Sequence, residues 1–261
     1  MAEAILRGLI SSKAFSRNSI IISDKDTARS KQVSKKYAVS AAENNVEAAR
    51  RSDVIILAVK PQSMHNVLAD IAGKVTPGQL VISIAAGIIL KSFEKYLAKV
   101  PLVRAMPNNP CLIGDGITAI CGGKFAQEAD LKTAEKIFLS VGDTIRVEER
   151  QMNAVTGLSG SGPAFIYEMV DALTDGGIEA GLPKGISESL ALKTALGSIK
   201  TMVRTKKPPE ELKNMVASPG GTTVAGLRVL EEANFKGALK KAVVKASARA
   251  KEISEEFERS L

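Results

Sequence analysis

The 261-residue sequence contains no tryptophan, one histidine and two cysteines, and aromatic residues make up only 4% of it. Cys111 and Cys121 are too few for a disulfide framework, and with His65 as the lone imidazole they make a poor zinc set. Without a second histidine or a clustered carboxylate pair, neither a hydrolytic triad nor a metal centre is expected. His65 is read as a residue on a helix surface rather than a general base. No window approaches the roughly 18 uninterrupted apolar residues of a membrane span. The opening MAEAILRGLISSK has no basic start ahead of an apolar core, so no secretory signal is read there. The expectation is a cytoplasmic, soluble protein of one or two domains, without a membrane partner.

The net charge of +8 reflects 36 basic against 28 acidic side chains. Nucleic-acid binding is the sharp reading of that excess. The scarcity of aromatics leaves no stacking platform, and the lysines are dispersed or set in amphipathic stretches such as KGALKKAVVKASARAK at 236–251. A solvated basic face with a mild pull on small anions is the better reading, and no nucleic-acid partner is expected.

Two textures divide the chain. Up to about residue 149, short β-branched runs at 19–23, 53–59, 80–84, 100–105, 117–120 and 144–147 alternate with helical stretches at 26–37, 62–73, 90–98 and 126–140. Apolar strands without alternation imply burial on both faces, hence a mostly parallel sheet covered by helices. This is the doubly wound α/β pattern. From residue 150 onward strand-like runs vanish. Long stretches rich in Ala, Leu, Lys and Glu replace them at 163–180, 185–204, 223–232 and 236–258. The reading is one α/β domain over 1–149 and an all-helical domain over 150–261, with 206–209 a simple helix break.

Four segments carry candidate chemistry. ASPGGTT at 217–223 places a turn without side-chain obstruction directly before a helical pattern. Free backbone amides there, with the positive end of a helix, suit a carboxylate, and Thr222 or Thr223 is placed to cap the helix. TGLSGSGPAF at 156–165 has too many glycines for a helix interior, so close backbone approach or a kink is wanted. AVKPQ at 58–62 and RAMPNNP at 104–110 are proline-stiffened strand exits, where open α/β sheets bind ligands. Taken singly, each is equally readable as an ordinary turn or tight packing.

Taken in order and spacing, ILAVKPQ, ISIAAG, RAMPNNP, TGLSGSGPAF and ASPGGTTVAGLRVLEE resemble the pyrroline-5-carboxylate reductase family over essentially the whole chain. Asn109, where the family often has threonine, does not disturb the match. The resemblance implies a Rossmann-type domain followed by a helical dimerisation domain. It further implies reduction of the small-molecule substrate 1-pyrroline-5-carboxylate to L-proline with NADPH or NADH, in a homodimer or a ring of dimers. It puts the substrate carboxylate at Ser218, Gly220, Gly221 and Thr222, with Thr223 near the imine nitrogen as the catalytic hydroxyl. Cofactor contacts carry over to Asn45, Ala58, Lys60, Pro61, Ala85, Ala86, Met106, Pro107 and Asn108. Past the first strand-like run, Ser23 and Lys25 suit a ribose 2′-phosphate and Asp24 a 2′-hydroxyl. Family habit favours NADPH.

One departure stands out. Chains of the family open with a strand and a glycine-rich turn, and this sequence starts at the methionine that follows them. The resemblance then implies a sheet lacking its central first strand, a loosened first domain and weak NADPH binding, with the helical domain still dimerising. A non-catalytic oligomeric relative is the alternative expectation.

Overall fold

The computed structural model describes residues 1–260, which divide into two compact units. The first runs from Met1 to Ser161 and resumes at Val244. The second is Gly162–Val243. This division differs from the sequence boundary at 149/150. Residues 150–161 belong with the first unit, and so do the last turns of the final helix, because Phe257 and Met152 are buried in its core.

The first unit contains helix α1 (Ala2–Ser11), strand β1 (Ile21–Ile22), α2 (Thr27–Tyr37), β2 (Ser40–Ala41), α3 (Asn45–Arg50), β3 (Val54–Leu57), α4 (Pro61–Ile71) and β4 (Leu80–Ser83). It continues with α5 (Leu90–Glu94), β5 (Leu102–Met106), β6 (Gly116–Gly122), α6 (Glu128–Phe138), β7 (Gly142–Arg146) and α7 (Met152–Val155). Local chemistry sets the helix starts. Asp26 accepts the N–H groups of Ala28 and Arg29 to cap α2, and Asn44 accepts that of Glu47 to cap α3. Gln127 and Asp130 close a reciprocal box at the start of α6. Pro61 opens α4 at its first position, where the missing N–H costs nothing.

Strands β3 to β7 form one sheet in sequence order, with β6 antiparallel to β5 and every other neighbour parallel. Alternate residues feed two cores. Val81 and Leu102 point to the face covered by Met64, Leu68 and Ile71 of α4 and Phe93 of α5. Leu80, Ile82 and Val103 point to the face covered by Ile5 and Leu9 of α1 and Ile137 of α6. Strand β4 is buried throughout, as its unbroken apolar run predicts.

Strands β1 and β2 pair in parallel as a separate sheet, Ile21 beside Ser40 and Ile22 beside Ala41. Among the described residues, neither β1 nor β3 has a partner on its other edge. Both strands are short: β1 spans two residues and β3 four.

The second unit is helical, with α8 (Gly162–Glu179), α9 (Lys184–Thr205), α10 (Pro209–Val216) and α11 (Thr222–Glu232). Helix α12 (Phe235–Arg259) starts in this unit and ends in the first. Helix α10 replaces the simple break read at 206–209: Pro209 is its first residue, and Glu210 and Glu211 sit in its first turn.

His65 lies half-buried on α4 with both ring nitrogens engaged. Its Nδ1 is 2.8 Å from the Tyr96 hydroxyl and its Nε2 is 2.9 Å from Ser260 Oγ. Its ring stacks on Phe257 with centroids 4.7 Å apart. The helix position agrees with the expectation; the partners, supplied from segments 31 and 195 residues away, are the part that the sequence does not show.

Candidate active site

The eleven positions expected to touch a cofactor all lie in the first unit, and all but Asn45 and Met106 directly follow strands at their carboxyl ends. After β1, Ser23 Oγ donates to Asn45 Oδ1 at 3.0 Å, and Asn45 Nδ2 donates to Asp70 Oδ2 at 3.3 Å. Asp24 Oδ1 accepts the N–H of Asp26 at 3.0 Å, so that carboxylate is engaged in its own turn, while Lys25 is exposed. The structure brings Ser23 and Asn45 together across the β1 exit.

After β3, Ala58 is half-buried and Lys60 stands exposed in extended backbone as the residue before α4. After β4, the Ser83 hydroxyl accepts the N–H of Ala85 at 3.3 Å. Ala85 is buried and Ala86 half-buried, ahead of Gly87 at φ +76°. A Cβ on Gly87 would meet Ile253 Cγ2 at 2.5 Å, so the last turns of α12 press on this loop. After β5, Pro107 and Asn108 are buried. Asn108 Oδ1 accepts the N–H of Ile117 at 3.0 Å, which ties the exit of β5 to the start of β6.

These features fit a dinucleotide. Small side chains at Ala58, Ala85 and Ala86 leave the backbone approachable, and the one cation at the β3 exit stands at a helix start. Helix α1 has no side-chain cap. Glu3 in its first turn is held by Arg29, Lys36 and Tyr37, and the bonds from Lys36 and Tyr37 keep its carboxyl below the usual range.

The segment 156–160 is a π-turn: the N–H of Ser161 reaches Thr156 O, five residues back, at 2.9 Å. Such turns are frequent at functional sites. A Cβ on Gly160 would lie 2.7 Å from Met106 Cε, so this turn lies against the end of β5.

The positions expected to meet the substrate, Ser218, Gly220, Gly221, Thr222 and Thr223, lie in the second unit. Gly220 has φ +73°, which favours glycine. The cap expected from Thr222 or Thr223 is not formed. Gly221 is the residue before α11, without a side-chain cap, and the two threonines occupy the first two helical positions. The turn is closed instead by Gly221 N–H donating to Ser218 O at 3.0 Å. The uncapped start of α11 with adjacent hydroxyls retains the means to hold a carboxylate.

Sequence reasoning passed over one pair here. Arg104 is 2% exposed in the middle of β5, and its guanidinium lies 3.6 Å from Glu149 Oε1. Burial draws the Arg104 guanidinium down from its ordinary value, and the neighbouring Glu149 charge opposes that. A charge inside the run Leu102-Val103-Arg104-Ala105-Met106 was the available signal, since buried charges need partners.

Comparison with known proteins is consistent along the chain. Residues 149–253 match a family described as pyrroline-5-carboxylate reductase dimerisation, and residues 1–87 match one described as NADP oxidoreductase, coenzyme F420-dependent. A pyrroline-5-carboxylate reductase of Synechocystis is 44% identical over 253 residues, covering 97% of this chain and 94% of the relative. One from Methanosarcina acetivorans is 40% identical, covering 97% and 94%. Among solved structures, pyrroline carboxylate reductase of Plasmodium falciparum with NADP bound superposes with a TM-score of 0.88 at 30% identity, covering 96% of this chain and 93% of that one. The pyrroline-5-carboxylate reductase of Coxiella burnetii gives 0.89 at 34%, covering 97% and 94%.

Proposed function

The chain belongs to the pyrroline-5-carboxylate reductase family, and from that we propose that it reduces the cyclic imine 1-pyrroline-5-carboxylate to L-proline, using NADPH in preference to NADH. The match at 44% identity over nearly the full length of a reductase carries this reading. A non-catalytic relative is not favoured, since the similar chains from bacteria, archaea and plants are reductases by name. No described helix is long and apolar enough to cross a membrane. We place the enzyme in the cytoplasm as a homodimer through the helical unit, with a ring of dimers as the larger assembly. Apolar side chains such as Leu192, Val203 and Val229 are exposed on that unit and suit such a contact.

The nicotinamide, when bound, supplies the hydride that the imine carbon receives. The protein's part is to hold and orient. Ser23, Lys25 and Asn45 take the adenosine end, and Ala58, Lys60, Pro61, Ala85, Ala86, Met106, Pro107 and Asn108 line the rest. Ser218, Gly220, Gly221 and Thr222 hold the substrate carboxylate at the start of α11. Thr223 hydrogen-bonds the imine nitrogen, which takes a proton from solvent as the carbon takes the hydride. Purified protein mixed with NADPH and 1-pyrroline-5-carboxylate tests this: NADPH absorbance falls and proline accumulates in equal amounts. A cofactor-binding protein that forms no proline overturns the reading.

A further inference from the structure

Arg104 is the only charged residue among the largest fully buried side chains of the described residues. It lies on the sheet face shared by Leu102 and by Cys121, its register partner on β6. The Glu149 oxygen 3.6 Å from Arg104 also accepts the N–H of Leu90 at 2.6 Å. Leu90 is the first residue of α5, directly after the loop that carries Ala85 and Ala86. Glu149 itself begins the segment that leads into the π-turn resting on Met106. One carboxylate oxygen thus joins three parts of the first unit: the strand leading to Met106 and Pro107, the loop after β4, and the backbone entering the π-turn.

Arg104 is buried while Glu149 is only half-buried, and such a pair is a weak source of stability, because taking the guanidinium out of water offsets most of the attraction. Stability alone does not account for Arg104. From the shared oxygen we infer that Arg104 and Glu149 are a positioning pair, which sets the spacing between the β4 and β5 exits for the dinucleotide. The inference rests on the proposed reductase reading. Glu149 is not one of the expected cofactor positions; it acts through Leu90 and Arg104.

The test compares the natural chain, Glu149→Ala and the double variant Arg104→Met/Glu149→Ala. Thermal midpoint, amide exchange over 84–90 without cofactor, and the NADPH dissociation constant are measured. Glu149→Ala is expected to lower the midpoint, speed exchange at Leu90 and weaken NADPH about tenfold, the value of one charge-assisted hydrogen bond. The double variant recovers the midpoint, because no unpaired cation stays buried, yet keeps fast exchange and weak NADPH binding. Recovery of all three in the double variant overturns the inference, as does Glu149→Ala with unchanged NADPH affinity. Where Glu149→Ala fails to fold, the double variant decides by itself. A natural chain that binds NADPH without forming proline removes the reductase reading and leaves the positioning result standing. A natural chain that binds no NADPH overturns both.

Discussion

His65, in the second turn of α4, and Ser260, just past the last turn of α12, lie 2.9 Å apart through Nε2 and Oγ. Together with the stacking of the imidazole on Phe257 and its bond to Tyr96, this contact fixes the end of α12 beside the β3 and β4 exits. His65→Ala is expected to destabilise the first unit by about 1–3 kcal/mol, the sum of two partly exposed hydrogen bonds and a ring contact. Urea unfolding measures it. An unchanged midpoint means the contact contributes nothing.

Thr223→Ala is expected to lower turnover far more than it weakens NADPH, since Thr223 lies at the start of α11 in the second unit, where the substrate is proposed to bind. Steady-state rates and a separate cofactor titration give the two numbers. Equal turnover in the variant places the imine elsewhere.

Gly221→Val should weaken 1-pyrroline-5-carboxylate and competing carboxylates alike. A Cβ there meets Ser218 Oγ at 2.5 Å, so the turn must open before the side chain fits. Inhibition constants for simple carboxylate analogues report this directly, and unaltered values would reduce the loop to an ordinary turn.

Burial pushes the Cys121 thiol up to about 12, with the Glu149 charge adding to the effect and Arg104 opposing it. A raised thiol value means folding favours the protonated form. Its contribution to stability is therefore complete below the unfolded thiol's value of about 8.5 and fades as pH rises toward the folded value. Cys111 is buried as well. Near neutral pH, a thiol reagent should label both cysteines in the denatured chain and neither in the native protein over the same interval. Rapid labelling of native protein contradicts the burial.

Legibility in the sequence follows the range of the interactions. Strands β3 and β4 were readable from their consecutive apolar residues, and β5 from an apolar run that only Arg104 interrupts. The exits at Lys60-Pro61 and Pro107-Asn108 were readable because proline marks where a strand stops. Short elements escaped: β2 is two exposed residues, and α3 is announced only by its Asn44 cap. The capping role given to Thr222 or Thr223 failed because Gly221 takes that place, a matter of backbone angles that residue type does not encode. Nothing local pairs Arg104 with Glu149, or His65 with Ser260. Such contacts depend on how distant segments pack, and the sequence records only that a charge or an imidazole sits among apolar neighbours.

The chain crosses from the first unit to the second after Ser161 and returns before Val244, so the helical unit is an insertion rather than an appendage. Synthesis proceeds from the N-terminus at roughly 5–20 residues per second. The core around Met64, Leu68 and Phe93 therefore waits for Phe257, which is made after the whole helical unit. The α/β half emerges first yet closes last. On the ribosome it stands incomplete while every residue of its inserted neighbour has already been made, and a chain stalled anywhere before Phe257 carries an unfinished first core.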